Sequence, residues 1–218
     1  MDGRQLIASR VAMMFKNGDL VNLGFGLPVT VADYLPNGVE LWLQAENGMI
    51  GQGPTPEAGN DDVDLFNAGA LPSTILPGGC TFDTATSFSL IRGGHVSATV
   101  LGAFEADQEG SVANWMIPGV LIPGMGGAMD LCAGCKRVII AMEHCTKEGA
   151  SKILKKCTLP LTASKRATHI VTDLCFIEVL PEGLLLKEIA PGYTIDEVVE
   201  RTEADLIIPD IVEIMLEK

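Results

Sequence analysis

Aromatic side chains are scarce in this chain, and so are cations. Trp, Tyr and Phe together make up 5% of the 218 residues, so the interior has to be built from Val, Ile, Leu, Met and Ala. Against 28 Asp and Glu there are only 15 Lys and Arg, a formal net charge of −13. That balance argues against a nucleic-acid surface, because phosphate contacts need clustered Lys and Arg. Lys147, Lys152, Lys155 and Lys156 form the one basic patch, and a solvated face accounts for it. No apolar run approaches the ~20 residues of a membrane span. Met1-Asp2-Gly3-Arg4 leads into an amphipathic pattern rather than the apolar plug of a signal peptide. The 6 cysteines, without an export signal, fit a reducing cytoplasm better than a disulfide framework. Cys132 and Cys135 are the one pair at metal or redox spacing. They lack a second such pair or a nearby His pair, so they read as incidental and no metal site is expected. Internal repeats and low-complexity stretches are absent as well.

What is present is frequent punctuation, with 24 Gly and 12 Pro separating short apolar runs. Residues 3 to 17 place Leu6, Ile7, Val11, Met14 and Phe15 on one helical stripe, with Asp2 as cap and Gly18 as stop. Strands are expected at 19–23, 39–43, 73–76, 96–104 and 137–142, the last an apolar run suited to burial on both faces. A helix capped by Asp83 runs to Arg92, and Pro28 opens another over Val29 to Leu35. The runs His169 to Val179 and Leu184 to Ile189, around Pro181-Glu182-Gly183, read as a hairpin-like addition. Thr194 and Glu197 make a capping box, and 206–208 suits a last strand. Strands alternating with helices give an α/β sheet with mostly parallel strands. The connections are short enough that residues 1–218 read as one domain.

The stretch with the most chemical promise is Gln44-Ala45-Glu46-Asn47-Gly48 and the Gly- and Pro-rich residues after it. Glu46 follows an apolar strand and is followed at once by Asn and Gly, which allow a sharp turn. The residues beyond, up to Gly59, suit a loop that no regular element would continue. A carboxylate there stands at the carboxyl end of the strands, the edge where open α/β sheets bind ligands. Asn22-Leu23-Gly24-Phe25-Gly26-Leu27-Pro28 is a strand, Gly-rich turn and helix start at the same edge. It lacks the third Gly and the acidic residue of a dinucleotide fingerprint. Pro123-Gly124-Met125-Gly126-Gly127 offers unhindered N–H groups to an oxyanion, or else makes a tight turn between two strands. Glu143-His144-Cys145 also reaches the edge. Neighbouring strand residues point to opposite faces, so His144 and Cys145 make no dyad and His144 reads as structural or supporting.

Together these motifs resemble the B (beta) subunit of family I coenzyme A transferases of the 3-oxoacid and acetate/butyrate–acetoacetate type. The resemblance rests on Glu46-Asn47-Gly48, on 22–28, on Gly124 to Leu131, on Glu143-His144 with Lys152-Ile153-Leu154, and on Cys157 to Thr162. It runs in order over residues 3 to 190. Ala45 stands where many relatives carry Ser, so a hydroxyl contact from that position is missing here.

The resemblance implies a three-layer α/β fold, mostly parallel and flanked by helices, shared with ribose-5-phosphate isomerase-like proteins. It implies transfer of coenzyme A between a short-chain acyl-CoA and a carboxylate, as in short-chain acid and ketone-body metabolism. Glu46 would be the nucleophile, passing through a mixed anhydride to a glutamyl-CoA thioester. Gly126, with Gly124 nearby, would serve the oxyanion hole, and Asn22 would orient the nucleophile. Gly24, Gly26, Asn47 and Gly48 would complete the coenzyme A contacts. Coenzyme A enters as substrate, with no tightly bound cofactor. The partner would be a companion A (alpha) subunit in a cytoplasmic α2β2 heterotetramer. Two alternatives remain on the same residues: an acyl-CoA hydrolase using Glu46, and a non-catalytic sugar-phosphate-sensing domain.

Overall fold

The computed structural model describes residues 1–215, and the last three positions of the expected 1–218 unit lie outside the described residues. In chain order the elements are helix α1 (Gly3–Ala12), β1 (Leu20–Leu23), a 3-10 helix (Leu27–Tyr34), β2 (Trp42–Ala45), β3 (Met49–Gln52), β4 (Ile75–Thr81) and α2 (Thr84–Arg92). Next come β5 (Ala98–Leu101), β6 (Glu105–Asp107), β7 (Val112–Ala113), α3 (Ala128–Gly134), β8 (Arg137–Ala141), β9 (Ile153–Leu154) and β10 (His169–Val171). The chain continues through β11 (Cys175–Leu180), β12 (Gly183–Ile189), α4 (Ile195–Glu200), β13 (Leu206–Ile207) and β14 (Glu213–Ile214).

The main sheet runs β13-β12-β11-β10-β8-β5-β1-β2-β3-β4, with β14 also on β12. Its middle, β10-β8-β5-β1-β2, is parallel throughout, and the antiparallel pairs lie toward the two ends. Period-two alternation assigns side chains to the two faces. Ile139 and Ala141 of β8 point into a core with α1 and the 3-10 helix, while Val138 and Ile140 point into one with α2 and α3. Helices therefore cover both faces, giving the expected three-layer α/β arrangement.

The caps hold where the sequence placed them. Asp2 accepts from the Gln5 N–H at 2.8 Å in a full capping box, and Thr194 makes the same box for α4. Asp83 caps α2 by accepting from the Thr86 N–H at 2.9 Å. Four expectations are corrected. The helix at 3–17 stops at Ala12, although Phe15 beyond it is still buried. The strand expected from Val39 begins at Trp42, because the Val39 N–H closes a turn onto the Pro36 carbonyl at 3.0 Å. The residues after Gly48 are not all loop: Met49–Gln52 folds back on β2 as an antiparallel hairpin. The strand expected at 73–76 begins at Ile75 and runs on through Pro77, Gly78 and Gly79 to Thr81, tolerated because it is the end strand of the sheet, where a missing Pro N–H breaks no ladder. The small sheet β7-β6-β9 was not legible at all, since its strands are two or three residues long.

One row across the sheet is polar. Asn22 of β1 lies in register with Thr99 of β5 on one side and Gln44 of β2 on the other. All three are buried, on the face where the neighbouring strands carry Val138, Ile140 and Leu101.

Candidate active site

Glu46 is the first residue of the three-residue connection between β2 and β3, just past the carboxyl end of β2. The turn depends on Gly48, whose φ is +128°; a Cβ there would run into the Phe82 carbonyl. Asn47 does not need a left-handed backbone, contrary to one attraction of the Asn-Gly pair. Its amide donates to the Phe66 carbonyl at 2.8 Å instead, tying the hairpin to the long connection between β3 and β4.

The half-buried Glu46 carboxylate is held from below. Asn22 Nδ2 donates to Glu46 Oε2 at 2.9 Å, and also faces Gln44 Oε1 at 2.9 Å and the Gln44 carbonyl at 3.1 Å. Thr99 Oγ1 donates to Asn22 Oδ1 at 3.3 Å, and Gln44 Nε2 donates to Ser87 Oγ of α2 at 3.0 Å. Hydrogen bonds to an ionised carboxylate are among the stronger ones, particularly away from bulk water.

A second wall is the loop before α3. A Cβ on Gly127 would sit 3.0 Å from Glu46 Cγ, so this backbone passes directly over the carboxylate side chain. Among the described residues no backbone carbonyl accepts from the N–H of Gly126 or Gly127. Gly124 and Gly126, expected at the site from the sequence, belong to this loop with φ of +94° and +50°. Gly127, which was not among the expected site residues, is the one in contact. The loop leads into a helix rather than turning between two strands.

The third wall comes from the turn after β1. The Gly24 N–H donates to the Val100 carbonyl at 2.8 Å, and Gly26 caps the 3-10 helix with φ of +86°. Gly24, Phe25, Gly26, Gln52, Asn67 and Glu46 border a cleft of about 240 Å³. Phe25 is 79% exposed at its mouth. A larger recess of about 530 Å³ shares Leu23, Val29, Gln44, Gln52 and Leu71 with it and extends away under the 3-10 helix. A separate recess of about 610 Å³ beside Lys165 and Glu182 has none of the residues around Glu46.

The residues expected from the sequence thus belong to the hairpin, the β1 turn or the α3 loop around Glu46, with Asn22 beneath the carboxylate on β1 itself. Ser87 and Thr99 were missed, while Gln44 and Gly127 stood in the motif stretches without being assigned a place in the site. A buried polar residue in an otherwise apolar strand was the available signal for Thr99; Ser87 and Gly127 needed the packing of α2 and α3. His144 is fully buried, its ring nitrogens 3.0 Å from Thr172 Oγ1 and 3.0 Å from Thr202 Oγ1. Burial pulls its pKa down to about 4, against a smaller upward pull from Asp173, so it is a neutral structural histidine. His144 and Cys145 lie outside the strands altogether. Burial likewise holds the Cys132 thiol up at about 11 and Cys135 at about 12, leaving both unreactive. Among the described residues no group of three or more His, Cys, Asp or Glu is placed to hold a metal, and no helix is long and apolar enough to cross a membrane.

Comparison with known proteins narrows the chemistry. The profile of the family described as coenzyme A transferase matches residues 4–201. The chain is 54% identical to the beta subunit of acetate CoA-transferase from Haemophilus influenzae, covering 96% of this chain and 94% of that one. It is 46% identical to the B-type subunit of succinyl-CoA:3-ketoacid coenzyme A transferase from Helicobacter pylori, covering 93% and 97%. The solved acyl-CoA transferase of Escherichia coli O157:H7 superimposes with a TM-score of 0.76 at 20% identity over 98% of this chain, which spans 43% of that longer one. Glutaconate coenzyme A-transferase of Acidaminococcus fermentans gives 0.71 at 19% identity, over 100% and 89%. At such identities the structures speak for the fold alone.

Proposed function

The chain belongs to the coenzyme A transferase family, and we propose that it is the glutamate-bearing beta chain of a two-subunit enzyme exchanging coenzyme A between short-chain acids. The observation that carries this reading is the Glu46 carboxylate itself, held on one oxygen by a buried amide and overlaid by a glycine loop.

Glu46 Oε1 attacks the thioester carbonyl of an acyl-CoA. The C–S bond breaks, leaving a mixed anhydride and coenzyme A thiolate. The thiolate then attacks the Glu46 carbonyl and expels the original acid as its carboxylate, forming a glutamyl-CoA thioester. An incoming carboxylate runs the two steps backwards and leaves as the new acyl-CoA. Dividing the exchange this way replaces one difficult displacement by easier ones. A carboxylate is the suitable nucleophile because the acyl group passes between carboxylates and sulfur at nearly balanced energy. Keeping the thiol beside the anhydride makes its return effectively unimolecular, an advantage of roughly 7–11 kcal/mol. Water has to be excluded, since anhydride and thioester both hydrolyse.

The oxyanion of each tetrahedral intermediate is stabilised by N–H groups of the Gly124–Gly127 loop. Contact with Glu46 favours Gly127 beside the expected Gly126. Asn22 orients the carboxylate, while Gly24, Gly26, Asn47 and Gly48 shape the cleft for coenzyme A. Acetate is the favoured acid, because the relatives at 54% and 51% identity are named for it; succinate, acetoacetate and butyrate come next. The companion is an alpha-type (A) chain, implied by the beta and B designations of the relatives, in a cytoplasmic α2β2 assembly with residues 1–218 as one domain.

The testing experiment is Glu46→Gln in the reconstituted pair. Transfer is expected to be lost while assembly persists, and near-wild-type exchange would overturn the reading. A carboxylate acceptor should be required for turnover; release of free coenzyme A without one would favour a hydrolase.

A further inference from the structure

We propose that Gln44 and Ser87 are positioning residues for the reaction, acting through Asn22 to set the direction of the Glu46 carboxylate. The inference rests on Glu46 being the nucleophile, and it concerns two buried residues beneath the carboxylate.

Ser87, Thr99, Asn22 and Gln44 are 0%, 0%, 1% and 2% exposed. They sit between the sheet and α2, where apolar side chains would pack at no desolvation cost. Each buried amide or hydroxyl left unmatched there would cost the desolvation of its polar group. Their presence is therefore unexplained by packing, while their order in space is informative. Thr99 occupies the Asn22 carbonyl end at 3.3 Å, which turns Nδ2 toward β2 and Glu46. Nδ2 shares two hydrogens among three acceptors, Glu46 Oε2 and Gln44 Oε1, both at 2.9 Å, and the Gln44 carbonyl at 3.1 Å. Were the Gln44 amide rotated by half a turn, its Nε2 would face Asn22 Nδ2, donor against donor. That donor–donor contact opposes the rotation, and Ser87 Oγ, accepting from Gln44 Nε2 at 3.0 Å, ties the far end of the amide to α2.

The line Ser87–Gln44–Asn22–Glu46 thus begins on α2 and ends on the carboxylate. It occupies Oε2 of a carboxylate that borders the cleft. The same helix carries Phe88, whose ring lies 3.4 Å from a Cβ placed on Gly127. One element thereby references both the carboxylate and the glycine loop above it.

The test uses the two-subunit enzyme with Ser87→Ala, Gln44→Met and Ser87→Thr, following steady-state transfer, single-turnover thioester formation at saturating acyl-CoA, and thermal unfolding. Misaiming a bound reactant typically costs ~10–100-fold in rate. Ser87→Ala and Gln44→Met are expected to lower kcat and the single-turnover rate together by about that factor, with KM for acyl-CoA within about twofold. Ser87→Thr keeps the acceptor oxygen and should recover most of the rate. Folded Ser87→Ala and Gln44→Met enzymes with wild-type single-turnover rates would overturn the inference, as would a raised KM with kcat unchanged. Glu46→Gln separates the two readings. If it is inactive while Ser87→Ala and Gln44→Met are unaffected, only the positioning role falls; if it is active, the nucleophile assignment itself falls.

Discussion

The backbone of Gly127 lies against the side chain of Glu46: a Cβ built on this glycine would stand 3.0 Å from Glu46 Cγ and 3.5 Å from Glu46 Cβ. Two segments far apart in the chain are in contact because α2 and α3 pack together, with Arg92 Nε donating to Asp130 Oδ1 at 2.6 Å between them.

Gly127→Ala should therefore act on catalysis more than on folding. The added methyl displaces either the carboxylate or the loop by a few tenths of an ångström, and misplacement together with weakened oxyanion contact costs about 10–100-fold in kcat. Steady-state kinetics of the assembled enzyme, with thermal unfolding alongside, checks it. Unchanged kcat would show that the loop takes no part in the chemistry.

Gly48→Ala should act first on folding. Its φ of +128° is closed to most L-residues, and the Phe82 carbonyl occupies the side-chain direction. A loss of about 2–4 kcal/mol is expected, from backbone strain plus the displaced Phe82. Denaturant unfolding measures it, and a change below about 0.5 kcal/mol, the ordinary range for surface substitutions, would contradict the account.

His144 predicts how stability responds to acid. Its folded pKa is depressed from 6.5 to about 4, chiefly by burial. Between those values the unfolded chain binds a proton that the native ring refuses. Its contribution to stability is therefore complete above pH 6.5 and is lost as the pH falls toward 4, by up to about 3 kcal/mol. His169, also depressed by burial, adds a change of the same sign. Unfolding free energies measured from about pH 7 to 4 should fall less steeply in His144→Gln than in the parent. Parallel slopes would remove His144 from the explanation.

Much of this molecule was readable in advance, for local reasons. Asp2, Asp83 and Thr194 announced helix starts because capping is a contact within three residues. The continuous apolar run at 137–142 announced a strand buried on both faces. Glu46 stood out because a lone carboxylate at a strand end, before Asn-Gly, has few packing uses. What the sequence concealed depends on long-range register. Nothing near Thr99 or Gln44 says that both will flank Asn22, and nothing near Ser87 says that it will meet Gln44. The strands β6, β7 and β9 are too short to show a period, so only their pairing reveals them. Pro77 was misleading, since a proline punctuates a strand only when its N–H would have been used.

The most direct test of the central claim is mass spectrometry of the two-subunit complex incubated with acyl-CoA alone and digested. The account predicts that the peptide holding Glu46 gains the mass of coenzyme A less water, that added carboxylate removes it, and that Glu46→Gln never acquires it. A complex competent for transfer whose Glu46 peptide stays unmodified throughout would contradict it.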